Sequence, residues 1–114
     1  MRRLATFLVM TAVMASLVDA PATAAIAARC RLVAAVDGPT LTISYRLTRG
    51  GAREDWRVKF FRDGELAYRR VHTTDGNGRF RVVRTFDNER GRETILASAQ
   101  RLDDGAVCRV SVRI

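Results

Sequence analysis

From Arg29 to Ile114, apolar side chains return at every second position instead of every third or fourth. Leu41, Ile43, Tyr45 and Leu47 alternate with Thr42, Ser44 and Arg46, and Trp56, Val58 and Phe60 alternate with Arg57 and Lys59. Phe80, Val82 and Phe86 share one parity, and Ile95, Ala97 and Ala99 share another. Cys108, Val110, Val112 and Ile114 alternate with Arg109, Ser111 and Arg113. A period of two sets one row of side chains against a core and the other against water, as in half-buried strands. The turn-forming clusters DGPT, RGGARED, RDGE, TDGNG, DNERGR and LDDG separate the runs. About seven short strands with no helical stretch predict an antiparallel all-β sandwich or barrel. No internal repeat, linker or low-complexity segment interrupts it.

Two hairpins can be placed in register by asking which pairing buries one face. At FFRDGELAY, a two-residue Asp63-Gly64 turn would pair Phe61 with Leu66 and send Leu66 and Tyr68 to the face opposite Trp56, Val58 and Phe60. A three-residue loop, Arg62 to Gly64, pairs Phe60 with Leu66 and Val58 with Tyr68. It gathers all five large apolar side chains on one face and needs positive φ only at Gly64, so it is the form expected. At RLDDGA the same test favours a four-residue loop, Leu102 to Gly105, with Ala99, Ala97 and Ile95 opposite Cys108, Val110 and Val112.

The N-terminal stretch differs in kind. Arg2 and Arg3 precede an apolar run from Leu4 to Val18, Asp19 and Pro21 end it, and Ala22-Thr23-Ala24 and Ala25-Ile26-Ala27 follow as small-residue cleavage sites. This order predicts a secretory signal peptide over residues 1–28 and one mature domain over 29–114. The run is about 15 residues long against the roughly 20 that span a bilayer. Arg29 before Cys30 spoils a lipid-attachment signal, and no apolar tail follows Arg113. The expectation is a secreted, extracellular protein with no membrane span in its mature form.

A domain of this size buries a modest fraction of its surface and gains from a covalent staple. An even count of two cysteines in an exported chain is most simply one disulfide, Cys30 to Cys108. A metal site would need more ligands, and His72 is the only histidine. Removing Arg2, Arg3 and Asp19 with the leader takes the 20 basic and 12 acidic residues to 18 and 11, a net charge of +7. Such a balance points to acidic partners. Arginine also outnumbers lysine 19 to 1, which GC-rich codon usage produces without selection for binding.

The strand order, Trp56 opening the third strand, the hairpin chemistry around FRDG and the stretch TTDGNGRFRV together resemble bacterial immunoglobulin-like domains, a group that includes fibronectin III-like modules. The resemblance covers about residues 30–114 and implies a single immunoglobulin-like sandwich of about seven strands in two packed sheets. Antibody-type domains bridge their second and sixth strands, whereas Cys30 and Cys108 fall in the first and the last. In this architecture the first strand can run parallel beside the last, which would bring the early ends of both together.

Chemistry is sparse. A calcium loop over VHTTDGNGRF would put Asp75 and Asn77 at ligand positions three and five, but Thr73 at the first and Arg84 at the twelfth, where a bidentate Glu is required. The stretch therefore reads as a turn, and no cofactor is expected. Ser44, Ser98 and Ser111 lie in strands outside any nucleophile context, His72 reads as a solvated strand-end residue, and the carboxylates sit in turns. The chain is not expected to be an enzyme. If Trp56, Val58 and Phe60 face inward, Arg57 and Lys59 face outward, with Arg69 opposite Arg57 and with Arg109 and Arg113 on the last strand. These five cations are the candidate anion-binding face, for an anionic polymer or an extracellular protein. Nucleic acid is not expected, because only Phe61 could stack a base there. The second class of function is a secreted inhibitor of a hydrolase, presenting RGGARED or DNERGR as a loop. Neither loop has a cysteine or proline to stiffen it.

Overall fold

The computed structural model describes residues 28–114, so the expected signal peptide, save Ala28, lies outside the described residues. Seven strands follow in order: β1 Arg29–Asp37, β2 Thr40–Thr48, β3 Asp55–Arg62, β4 Glu65–Thr73, β5 Phe80–Asp87, β6 Thr94–Arg101 and β7 Val107–Arg113. They form an all-β sandwich of two antiparallel sheets, one ordered β1-β2-β5 and the other β4-β3-β6-β7.

The alternating pattern is what closes the core. Leu41, Ile43, Tyr45 and Leu47 of β2, Trp56, Val58 and Phe60 of β3, and Ile95, Ala97 and Ala99 of β6 are all buried. Each of these strands is central in its sheet, and side chains of one parity meet those of the facing sheet. Tyr45 spans the two layers: its ring meets Phe60 edge-on at 6.0 Å, and its hydroxyl donates to the Cys108 carbonyl at 3.0 Å. Burial raises its phenol above the usual value, so the donor stays protonated.

Cys30 and Cys108 are joined, with Cα atoms 6.1 Å apart. Both stand second in their strands, and Leu32 and Val110, two residues further on, line one groove. The first and last strands therefore run side by side from the bridge, as the resemblance implied. Closing a loop with a separation of 78 residues is worth about 4.5 kcal/mol in the chain-entropy model.

The β6–β7 hairpin has the register anticipated: Ile95, Ala97 and Ala99 stand opposite Val112, Val110 and Cys108. The β3–β4 hairpin does not. Its turn has two residues, with Arg62 opposite Glu65 and Phe61 opposite Leu66. Asp63 and Gly64 both have positive φ, at 50° and 84°, the two-residue geometry whose twist matches that of the strands. Asp is one of the few side chains that tolerate this region, and here its backbone N–H donates to the Thr94 carbonyl at 2.9 Å while Oδ1 accepts from the Thr94 N–H at 2.9 Å. A register shift between Phe60 and Phe61 then takes up Ala67, so that Phe60 faces Tyr68. Tyr68 returns to the inner side and stacks on Phe60 at 5.0 Å, whereas Leu66 is exposed on the outer face. The shift also changes the charge pairing, because Arg69 stands opposite Lys59 and Val71 takes the place opposite Arg57.

Candidate functional site

The acidic residues of the described chain lie in turns or at strand ends, and the outward faces of the strands carry cations. The ion pairs found among the described residues engage Arg62, Arg90 and Arg101, and none involves a cation from the two faces described next.

On the four-stranded sheet, one row across the outer face reads Arg69, Lys59, Ser98, Arg109. The next row reads Val71, Arg57, Gln100, Val107. The five candidate cations thus share a sheet face. Arg57, Lys59, Arg69 and Arg109 form a continuous patch, but Arg113 lies at its margin, in a cleft with Asp63 and Glu93. A third row, Leu66, Phe61, Leu96 and Ser111, borders the patch, and Leu66, Val71 and Val107 are exposed. The face is therefore apolar as well as basic, because the two-residue turn pairs Leu66 with outward-facing Phe61.

The three-stranded sheet carries a second cluster. Arg31, Arg46 and Arg81 stand directly opposite one another on β1, β2 and β5. Arg29 is opposite Thr48, and Arg79 immediately precedes β5. A cleft of about 400 Å³ is lined by Arg29, Arg31, Arg46 and Thr48, and one of about 260 Å³ by Arg46, Thr48, Asp75, Arg79 and Arg81. Arg46 and Thr48 line both, so the two clefts flank these side chains, the larger one reaching Cys30, Leu32 and Val110 at the edge where the first and last strands meet. The alternation of RCRL, YRL and FRV marks each arginine as outward-facing, but the pairing of three distant strands is not visible along the chain.

The loops at the end where β3 begins brace each other. Thr74, buried, donates its hydroxyl to the Gly51 carbonyl at 2.6 Å and accepts the Glu54 N–H at 2.7 Å. Gly50 N–H donates to the Gly78 carbonyl at 3.0 Å, and Arg53 N–H to the Asp75 carbonyl at 3.2 Å. Residues 49–54 are thus stiffened without the cysteine or proline that seemed necessary, and Arg49 and Arg53 are held at φ of 62° and 56°. In the neighbouring turn, Asp75 Oδ1 accepts from the Asn77 and Arg79 amides at 2.8 and 3.0 Å, and these bonds lower its pKa. Its carboxylate serves the backbone of its own turn.

His72 corrects the expectation of a solvated ring. It is half-buried, 2.6 Å from the Tyr68 hydroxyl and stacked on Phe80 at 5.7 Å, and burial followed by the charge of Arg70 lowers its pKa. At the opposite end of β3, buried Arg62 forks onto Glu93 at 2.8 and 2.7 Å and donates to the Asp87 carbonyl at 2.7 Å. Arg62 shares the parity of Trp56, Val58 and Phe60, a signal that its turn-like surroundings concealed. Among the described residues, no cluster of three or more His, Cys, Asp or Glu side chains gathers as metal ligands would.

No family model matches the sequence, and no characterised protein is significantly similar to it. Among solved structures, the chain is similar to a β-glucosidase from Kluyveromyces marxianus, with 13% identity, 79% of this chain and 14% of that one covered, and a TM-score of 0.43. It is likewise similar to β-glucosidase 3B from Thermotoga neapolitana in complex with glycerol, with 13% identity, 79% and 17% covered, and a TM-score of 0.42. The chain therefore spans about a sixth or less of the length of either enzyme.

Proposed function

We propose that this chain is an exported, non-enzymatic immunoglobulin-like module that holds an anionic partner at the cell exterior against the outer face of its four-stranded sheet. The observation that carries the reading is the patch of Arg57, Lys59, Arg69 and Arg109, which has no carboxylate partner among the described residues and lies beside Phe61, Leu66 and Leu96. An apolar strip bordered by cations suits an acidic protein surface better than a bare polymer, because burial of the strip adds to the charge attraction. The disulfide is in keeping with an oxidising compartment.

The test compares Lys59→Glu/Arg69→Glu with Arg70→Glu, which changes the same strand on its other side. Binding to envelope fractions of the producing cells is measured with and without prior protease treatment. Loss with the first variant alone supports the face, and loss after protease treatment identifies the partner as protein. Equal loss per charge reversed in the two variants would show that only net charge matters.

The braced loop 49–54 favours one second reading, inhibition of an extracellular hydrolase, since a preorganised loop loses little entropy on docking. A panel of proteases and glycosidases assayed with the protein and with Arg53→Ala tests it. Unchanged rates throughout would dismiss it.

A further inference from the structure

We propose that the outer face of the three-stranded sheet binds a linear polymer with a phosphate at every repeat, laid across Arg46 between Arg29 and Arg31 on one side and Arg79 and Arg81 on the other. This site is separate from the four-stranded face and does not depend on the reading given to that face.

The register carries the inference. Like charges directly opposed on neighbouring strands are unfavourable, and here three arginines are opposed across three strands. The general excess of arginine does not account for this, since it says nothing of which positions face one another. Among the described residues no carboxylate pairs with this row, and natural chains break such local rules chiefly at functional sites. Arg81 Nε reaches only the Ser44 hydroxyl, at 3.3 Å. Among the described residues Asp75 is the one acid lining the two clefts, and its Oδ1 accepts two backbone amides instead of pairing with a guanidinium.

The shape of the site selects among anions. Neighbouring strands lie about 4.8 Å apart, so the guanidinium groups start from anchor points at that interval. A chain with a phosphate at each repeat can match such a row, whereas a glycan charged on alternate sugars would leave arginines unmet. Each guanidinium can take two phosphate oxygens at once. A membrane surface is disfavoured because the exposed apolar residues beside the row, Val33 and Val83, are too small to anchor in lipid. Single-stranded nucleic acid is disfavoured because the clefts offer only half-buried Phe80 for stacking. Two narrow clefts to either side of Arg46 and Thr48 admit a single chain more readily than a folded protein face.

The probe is inorganic polyphosphate, end-labelled and titrated with the purified protein by fluorescence anisotropy over a range of salt concentrations. Arg46→Ala is expected to lower the slope of log affinity against log salt by about one. Arg46→Glu/Arg81→Glu should weaken binding roughly tenfold or more at low salt. Arg84→Glu, on the same strand as Arg81 but of opposite parity, should change it less than about twofold. Removing a member of an opposed row also relieves repulsion, so the unfolding midpoint of Arg46→Ala should hold or rise while binding falls. A fall in the midpoint with no loss of binding would overturn the proposal. So would equal losses, per charge reversed, in Arg46→Glu/Arg81→Glu and Arg84→Glu, or polyglutamate of matched charge binding as tightly. Orthophosphate competing as well as the polymer, phosphate for phosphate, would overturn the assignment of a linear ligand. Loss only in Lys59→Glu/Arg69→Glu would place polyphosphate on the four-stranded face and refute this site while leaving that one standing.

Discussion

Where β3 begins, the sandwich is closed mainly by neutral hydrogen bonds between backbones, helped by the Cys30–Cys108 bridge and one partly buried pair, Arg101 with Glu54. Where β3 ends, it is closed by charge taken out of water: Arg62 and Glu93, both buried, with Asp87 beside them. The first arrangement spreads its stabilisation over several loops. The second concentrates it in one guanidinium, which forks onto Glu93, caps the Asp87 carbonyl and lies over the Phe86 ring at 5.4 Å. The two ends should therefore fail differently. Loss of one hydrogen bond leaves a neutral group short of a partner, whereas loss of Arg62 leaves the buried Glu93 side chain without the partner that both its oxygens use.

The widest separation between the ends is expected from Arg62→Ala, which should cost about 3–5 kcal/mol in denaturant unfolding. Arg62→Met combined with Glu93→Leu should recover most of that, because replacing a buried pair by apolar side chains is often neutral or favourable. A small loss in Arg62→Ala would mean that water reaches Glu93 and that the two ends are alike.

At the other end the most sensitive point is a contact between backbones. A methyl group added at Gly78 would collide with the Gly50 carbonyl, and Gly78 has φ of +76°. Strain and clash together should make Gly78→Ala cost about 2–4 kcal/mol. At Gly76 the nearest atom is 3.8 Å away, so Gly76→Ala in the same turn should change stability by less than about 0.5 kcal/mol. Similar losses at both glycines would show that the turn, and not the contact between loops, is what matters.

These two ends also differ in how far they could be read along the chain. The glycines of RGGARED and TDGNG mark turns, but nothing local says that the two turns meet, since their contact depends on the sheets being packed. Arg62 and Glu93 stand among Asp63, Glu65, Arg90 and Arg92, a run that reads as solvated loop, and only strict strand parity separates Arg62 from its neighbours. The β6–β7 register was legible because one parity sets Ile95, Ala97 and Ala99 against Val112, Val110 and Cys108, with Leu96 and Val107 left to the outer face. The β3–β4 register was not, because a bulge adds one residue and lets a two-residue turn bury Tyr68 while exposing Leu66. Outward arginines on both sheets follow from alternation. Their assembly into the Arg31–Arg46–Arg81 row follows from strand order, which pattern alone does not supply.

A smaller effect should follow from Thr74→Val, which keeps the buried volume and removes the hydroxyl between Gly51 and Glu54. One carbonyl and one N–H then lose their partner, for about 1–3 kcal/mol. Thr74→Ser should lose less, because the hydroxyl remains. If Val and Ser are equivalent, packing and not hydrogen bonding holds this end.

The smallest effect separates the ends by pH. His72 pairs across from Trp56, near the hydrogen-bonded end, and the folded state lowers its pKa from 6.5 through burial and the adjacent Arg70. Below pH 6.5 the unfolded chain then binds a proton that the folded chain resists, so stability is complete above that value and is lost as pH falls through the lower folded pKa. Asp87, beside the ion pair, has its carboxyl lowered from 3.8 mainly by the Glu89 amide, with Arg62 contributing. Its contribution is complete above 3.8 and is lost only as pH falls through the still lower folded value. Asp75 and Asp104 at the hydrogen-bonded end are lowered in the same way and add to this acid step. The unfolding midpoint should therefore fall in two stages on acidification. His72→Gln should abolish the stage that begins below pH 6.5 and leave the acid stage in place. Asp87→Asn should do the reverse, reducing the acid stage only. A midpoint that falls equally between pH 7 and 5 in the wild type and in His72→Gln would show that the ring is solvated after all, and that the pairing with Tyr68 does not hold this edge.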